Sequence, residues 1–145
     1  MTSLVRHRSL LVPALLVLAA ACNNGSSSPT APDQSAIPYS QVDLTVGTGA
    51  EAAVGKSATV QYAGWLYSNS GPDHKGAQFD AGQLAPFVIG SNTLIKGFEM
   101  AVSGMKVGGI RRAVIPPSLA YGSTGSSSIP PNAALVFEIL LGNVQ

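Results

Sequence analysis

The chain is poor in the groups on which most enzyme chemistry rests. Of its 145 residues one is cysteine, Cys22, and two are histidine, His7 and His74. A single cysteine cannot form an intrachain disulfide, so the fold must be held by its core. Nor can one Cys and two separated His complete a zinc set, and Cys/His or Ser/His/Asp nucleophilic arrangements have little to draw on. His74 sits between Asp73 and Lys75 in a polar stretch, which reads as a solvated loop tip and not as a ligand. Charged residues make up only 10% of the chain and sum to +1, with no basic cluster, which argues against nucleic-acid binding. The acidic residues Asp80, Glu99 and Glu138 each stand in a different context and do not make a glycosidase pair. No apolar run is long enough to cross a membrane as a helix, and no internal repeat is visible.

What is present begins with a leader. Residues 1–21 open with Arg6, His7 and Arg8, continue as an apolar run from Leu10 to Leu18, and end in Ala19-Ala20-Ala21 just before Cys22. A basic, then apolar, then small-residue order is that of a secretory signal. The Cys at the cleavage point resembles the lipobox of bacterial lipoproteins, with Ala19 where Leu is usual. This implies lipidation of Cys22 and a lipid-anchored protein of the bacterial cell envelope; the alternative is an ordinary signal peptide cut near Ala21 that leaves a free thiol. Stable anchoring needs more than one acyl chain, which such a Cys supplies. Asn23 lacks the Asp that marks inner-membrane retention in some bacteria, so the periplasmic face of the outer membrane is favoured. Without residues 1–21 the balance is six basic to seven acidic residues. Residues 22–37, rich in Ser and Pro, read as a flexible tether, and 38–145 as one globular domain.

Within that domain, Val42, Leu44 and Val46 alternate with polar residues as in a half-buried strand. Gly47-x-Gly49-x-x-Ala52 fits a dinucleotide fingerprint formally, but a turn and another strand follow it, so it is rejected. Ser57 to Leu66 alternates most clearly, with Val60, Tyr62 and Gly64 on one face. Tyr67 to Gln78 reads as a surface loop ended by Phe79-Asp80, and Pro86 to Gly90 as a short strand. Thr93 to Val102 carries Leu94, Phe98 and Val102 at helical spacing and is the one good helix, although Gly97 inside it costs about 1 kcal/mol relative to Ala. Gly90, Ser91 and Asn92 supply turn and cap material before it. Ile110 to Ile115 and Ala134 to Leu141 are further strands, the second with Leu135, Phe137, Ile139 and Leu141 on one face. The fold class is α+β: a curved antiparallel sheet of five to six strands wrapped around one short helix.

The remaining signal is a set of large apolar residues at strand edges: Tyr62, Phe79, Phe87, Leu94, Ile95, Phe98, Tyr121, Ile129 and Phe137. Periodicity alone would make them core. They occur, however, inside an ordered series of motifs: Val60-Gln61-Tyr62-x-Gly64-x-Leu66, Gln78-Phe79-Asp80, Phe87-Val88-Ile89-Gly90, Leu94-Ile95-Lys96-Gly97-Phe98-Glu99, Gly104-Met105-x-Val107-Gly108, Ala120-Tyr121-Gly122 and Ile129-Pro130-Pro131-Asn132-Ala133-x-Leu135-Val136-Phe137. From about Val42 to Leu141 this closely resembles the FKBP-type peptidyl-prolyl cis/trans isomerases.

The resemblance implies an enzyme (peptidyl-prolyl cis/trans isomerase) that eases Xaa-Pro rotation during folding of secreted or envelope proteins. It implies no cofactor and no metal. Tyr62, Asp80, Tyr121 and Phe137 carry over as catalytic, and Phe79, Phe87, Leu94, Ile95, Phe98 and Ile129 as substrate-binding, with Phe98 as the floor where many relatives have Trp. The Ile95 N–H and the Tyr121 hydroxyl would meet ligand carbonyls. Asp80 would either act on the twisting amide or order Tyr62. The implied partners are Pro-containing unfolded or partly folded polypeptides and macrolide inhibitors, bound by a monomer. A non-catalytic, chaperone-like binder using the same groove is the alternative. Two departures stand out: no Arg follows Phe79-Asp80, and the loop Gly125 to Ser128 is short and polar.

Overall fold

A computed structural model describes residues 32–145; the leader, Cys22 and most of the segment read as a tether lie outside the described residues. Five strands, β1 (Ser40–Thr45), β2 (Ser57–Tyr67), β3 (Lys75–Val88), β4 (Ile110–Ile115) and β5 (Leu135–Val144), and one helix, α1 (Lys96–Val102), make up the regular structure, with single 3-10 turns at Pro72–His74 and Pro117–Leu119. The strands form one antiparallel sheet in the order β1-β4-β5-β2-β3. The period-two patterns account for its inner face. Val60 on β2 and Leu135, Ile139 and Leu141 on β5 are fully buried, and α1 lays Phe98, Ala101 and Val102 against them.

Gly97 has a specific use. A Cβ there would lie 2.3 Å from Cγ2 of Ile115, so only glycine lets α1 seat this closely on β4. The helix costs itself propensity at that position and gains the contact. At its far end Arg111, buried on β4, donates from Nη1 to the carbonyls of Ala101 (2.9 Å) and Ser103 (3.1 Å), and from Nε to Asp43 Oδ1 at 2.6 Å. One guanidinium therefore ties together β1, β4 and the C-terminus of α1, where a cation is favoured. That hydrogen bond holds the Asp43 carboxyl below the usual carboxylate range.

Four expectations are corrected. The helix begins at Lys96 and not at Thr93, because the chain from Gly90 to Leu94 bends into a loop around the Glu99 carboxylate, leaving Ile95 extended at the helix entry. Lys75–Val88 is one long strand where a loop and a separate short strand were expected, since its polar positions pair with β2 and face outward; the sheet thus has five strands. Val42 and Leu44 are exposed, because β1 is an edge strand with nothing packed over it. Last, the packed domain starts before residue 38. The Gln34 side chain donates to the Tyr67 carbonyl (3.1 Å) and accepts from Ala134 N (2.8 Å), bridging the ends of β2 and β5. A polar side chain satisfying backbone groups leaves no hydrophobic signature.

Candidate active site

The curved sheet and the entry of α1 enclose a cavity of about 450 Å3, within the ~300–1,000 Å3 usual for ligand sites. Eight residues picked out from the sequence line it: Tyr62, Phe79, Asp80, Leu94, Ile95, Phe98, Tyr121 and Phe137. Phe87 and Ile129 do not. Phe87 packs behind Phe98 with ring centroids 6.4 Å apart, and Ile129 is buried in the core, reaching only a smaller neighbouring cavity. Leu84 and Thr93 line the cup unannounced. Leu84 was findable: Asp80, Gly82 and Leu84 follow a period of two once Lys75–Val88 is read as a strand, and they pair with Gly64, Tyr62 and Val60.

The wall is built by edge-to-face aromatic contacts. Phe137 on β5 meets Phe98 at 5.2 Å and Phe79 at 5.6 Å, with ring planes at 87° and 86°, and Tyr62 stands 5.9 Å from Phe98 at 87°. Each such contact is worth ~0.5–1.5 kcal/mol beyond area and fixes the ring orientations. Gly64 makes the meeting of Phe79 and Phe137 possible. Its Cβ would lie 2.7 Å from Phe79 Cζ and 2.8 Å from Phe137 Cε1. A β-bulge does the rest: Gly64 pairs with Asp80 and Trp65 with Gln78, so Phe79 is the extra residue, and two consecutive side chains face the cup.

Polar groups stand only at the rim. The Tyr62 hydroxyl donates to Asp80 Oδ2 at 2.5 Å, and Ala81 N donates to Oδ1 at 2.9 Å. The bond to Asp80, with some burial and the nearby carboxylate charge, pushes the Tyr62 phenol up to about 12, so it stays a donor across the physiological range. Opposite, the Ile95 carbonyl accepts from Phe98 N (3.0 Å) and Glu99 N (3.3 Å) while no acceptor among the described residues meets its own N–H. That orphan donor at a helix entry is free for a ligand carbonyl.

Glu99 holds this rim in place, a role its sequence context did not reveal. It is buried; Oε2 accepts from Gly90 N (2.9 Å) and Asn92 N (3.3 Å), and Oε1 from Leu94 N (3.2 Å). One carboxylate satisfies three amides of the loop that presents Thr93, Leu94 and Ile95. The sequence signal, in hindsight, is an acidic residue on the buried side of the first helical turn, placed to reach back over the preceding loop.

Comparison with known proteins agrees with the geometry. Residues 49–142 match the family model described as FKBP-type peptidyl-prolyl cis-trans isomerase. The chain is 44% identical over 107 residues to the 46 kDa FK506-binding nuclear protein of Spodoptera frugiperda, covering 71% of this chain and 24% of that protein. It is 40% identical over 100 residues to the FK506-binding protein of Neisseria meningitidis serogroup A, covering 68% of this chain and 89% of the relative. The chain thus spans about a quarter of the nuclear relative and nearly all of the bacterial one. Among solved structures, AtFKBP13 superposes with a TM-score of 0.63 at 31% identity over 78% of this chain and 98% of that one. A peptidyl-prolyl cis-trans isomerase from Pseudomonas syringae pv. tomato gives 0.61 at 33% identity, over 82% and 84%. The chain belongs to the FKBP-type peptidyl-prolyl cis-trans isomerase family.

Proposed function

We propose that the chain catalyses cis/trans rotation about Xaa-Pro bonds in unfolded or partly folded polypeptides of the cell envelope. The observation that carries this is the cup itself: an apolar, aromatic cavity with hydrogen-bonding groups confined to its rim. The two isomers of an Xaa-Pro bond lie within about 1 kcal/mol of each other but are separated by a barrier of ~18–20 kcal/mol. Nothing has to be attacked or deprotonated for the bond to turn. Rotation removes amide resonance, so the twisted state is less dipolar at oxygen than the planar one, and a dry aromatic surrounding raises the planar form relative to the twisted. Every ~1.4 kcal/mol of that difference is tenfold in rate.

Phe98 and Phe137 take the prolyl ring, the Ile95 N–H and the Tyr121 hydroxyl hold the flanking carbonyls, and Asp80 keeps Tyr62 oriented toward the cup. Macrolides of the kind named in its relatives occupy the same cup as competitors. The domain acts as a monomer, carried at the envelope by acylation of Cys22, on the periplasmic face of the outer membrane. Substituting Cys22→Ser should release it from the membrane fraction and abolish incorporation of labelled acyl chains.

Refolding of a protein limited by proline isomerisation tests the catalytic reading. The chain at one-hundredth of the substrate concentration should accelerate the slow phase, and FK506 should suppress the acceleration. Binding of the unfolded substrate without acceleration would instead identify a holding module.

A further inference from the structure

A second cavity opens off the cup on the side of the loop after Tyr121. It encloses about 260 Å3 and is bounded by Phe79, Asp80 and Tyr121, which it shares with the cup, and by Ser126, Ser127, Ser128 and Ile129. The annex thus adjoins, through those shared residues, the space that the proposed function gives to the prolyl ring. The annex is polar, and Asp80 is the one formal charge lining either space. Its carboxylate accepts from Tyr62 and Ala81. Among the described residues no Lys or Arg reaches it: Lys75 and Arg112 are spent on Glu138 and Asp73, and Arg111 on Asp43. The carboxylate retains open lone pairs, and the serine hydroxyls add acceptors beside it, while an ammonium or guanidinium brings donors and no acceptor.

We propose that this annex is a specificity subsite for a cationic side chain, Lys or Arg, at a residue flanking the substrate proline. An acidic residue there meets an uncompensated like charge and is disfavoured. The inference rests on the isomerase reading for the seating of the prolyl ring, and the test separates the two. Two peptide series, with Lys, Leu or Glu immediately before or immediately after proline, are assayed for kcat/KM by exchange NMR and for Kd by calorimetry at low salt. In at least one series Lys should exceed Glu by roughly three- to tenfold, the range for a partly exposed charge pair counted once as attraction and once as repulsion. The preference should collapse at 1 M salt, where the screening length is about 3 Å. It should also be lost in Ser127→Lys, which puts a competing cation beside Asp80. Equal values for Lys and Glu in both series, or a preference untouched by salt and by Ser127→Lys, would overturn the proposal. Turnover of Leu peptides without charge preference keeps the isomerase and removes the subsite; charge-selective Kd without turnover does the reverse. Failure of all the peptides to bind rejects both.

Discussion

At the scale of single residues the site is a division of labour between rings that make the cavity and two carboxylates that orient its edge. Asp80 and Glu99 look equivalent in the sequence and differ in what they hold. Asp80 orders Tyr62 from an exposed rim, so Asp80→Asn, which keeps an acceptor for the phenol, should retain most activity, while Asp80→Leu should lower kcat/KM about tenfold with the fold intact, the scale of one hydrogen bond to a charged group. If Asn were as damaging as Leu, the charge itself would be acting on the amide. Glu99 accepts three amides, and Gln offers only one oxygen and turns an NH2 toward the remaining donors. Glu99→Gln should therefore raise KM more than it lowers kcat, as the loop bearing Ile95 loses its position; an equal fall in stability and activity with KM unchanged would make Glu99 merely structural. Most of the cup was legible because the motifs name its residues. Adjacent Phe79 and Asp80 share a face only through a bulge, which no alternation rule anticipates. Glu99 escaped because its partners are backbone amides, which carry no side-chain signature.

At the scale of elements, periodicity worked where a face was buried and failed where it was not. β2 and most of β5 follow the period-two pattern, since their inner residues pack toward α1; β3 breaks it, since its outward residues are polar and a bulge interrupts the alternation. Helical spacing from Leu94 points to a start three residues before the true one, because Leu94 falls at that spacing by coincidence and serves the cavity instead. Gly97 is the sharpest element-level case. Helix propensity says that Gly97→Ala should stabilise by about 1 kcal/mol. The 2.3 Å approach of the added Cβ to Ile115 says the opposite, and overpacking of this kind costs ~1–3 kcal/mol. We expect a net loss of stability in denaturant melts, with the midpoint moving down; an upward shift would show that α1 can lift off β4 without penalty.

At the scale of the whole molecule, the sheet has a working inner face and a charged outer one. Lys75 Nζ lies 2.7 Å from Glu138 Oε1 and 4.4 Å from the Trp65 ring centre, and Arg112 spans Glu138 at 2.9 Å and Asp73 at 2.8 Å, pinning the Pro72–His74 turn to the sheet. Burial works against ionisation of Glu138, but the bonds from Lys75 and Arg112 outweigh it and hold the carboxyl below its ordinary value of 4.5. A depressed carboxyl contributes stability above its unfolded value and loses it as pH falls through the folded one. The melting temperature of wild type should thus exceed that of Glu138→Gln at pH 7, with the gap closing below about pH 4.5; a gap independent of pH would contradict the assignment. The outer network leaves no pattern in the sequence, since its four charges come from β3, β4, β5 and a turn that only the fold brings together. For the inner face, the proposed mechanism is that a cup of aromatic rings eases rotation of a peptide bond with no proton given or taken. Its most direct measurement is kcat/KM on a neutral Xaa-Pro peptide, in H2O and D2O and from pH 6 to 9. Rotation without proton transfer gives a flat profile and a solvent isotope ratio of about 1, whereas a bell-shaped profile or a ratio of about 2 or more would show acid–base chemistry and rule that mechanism out.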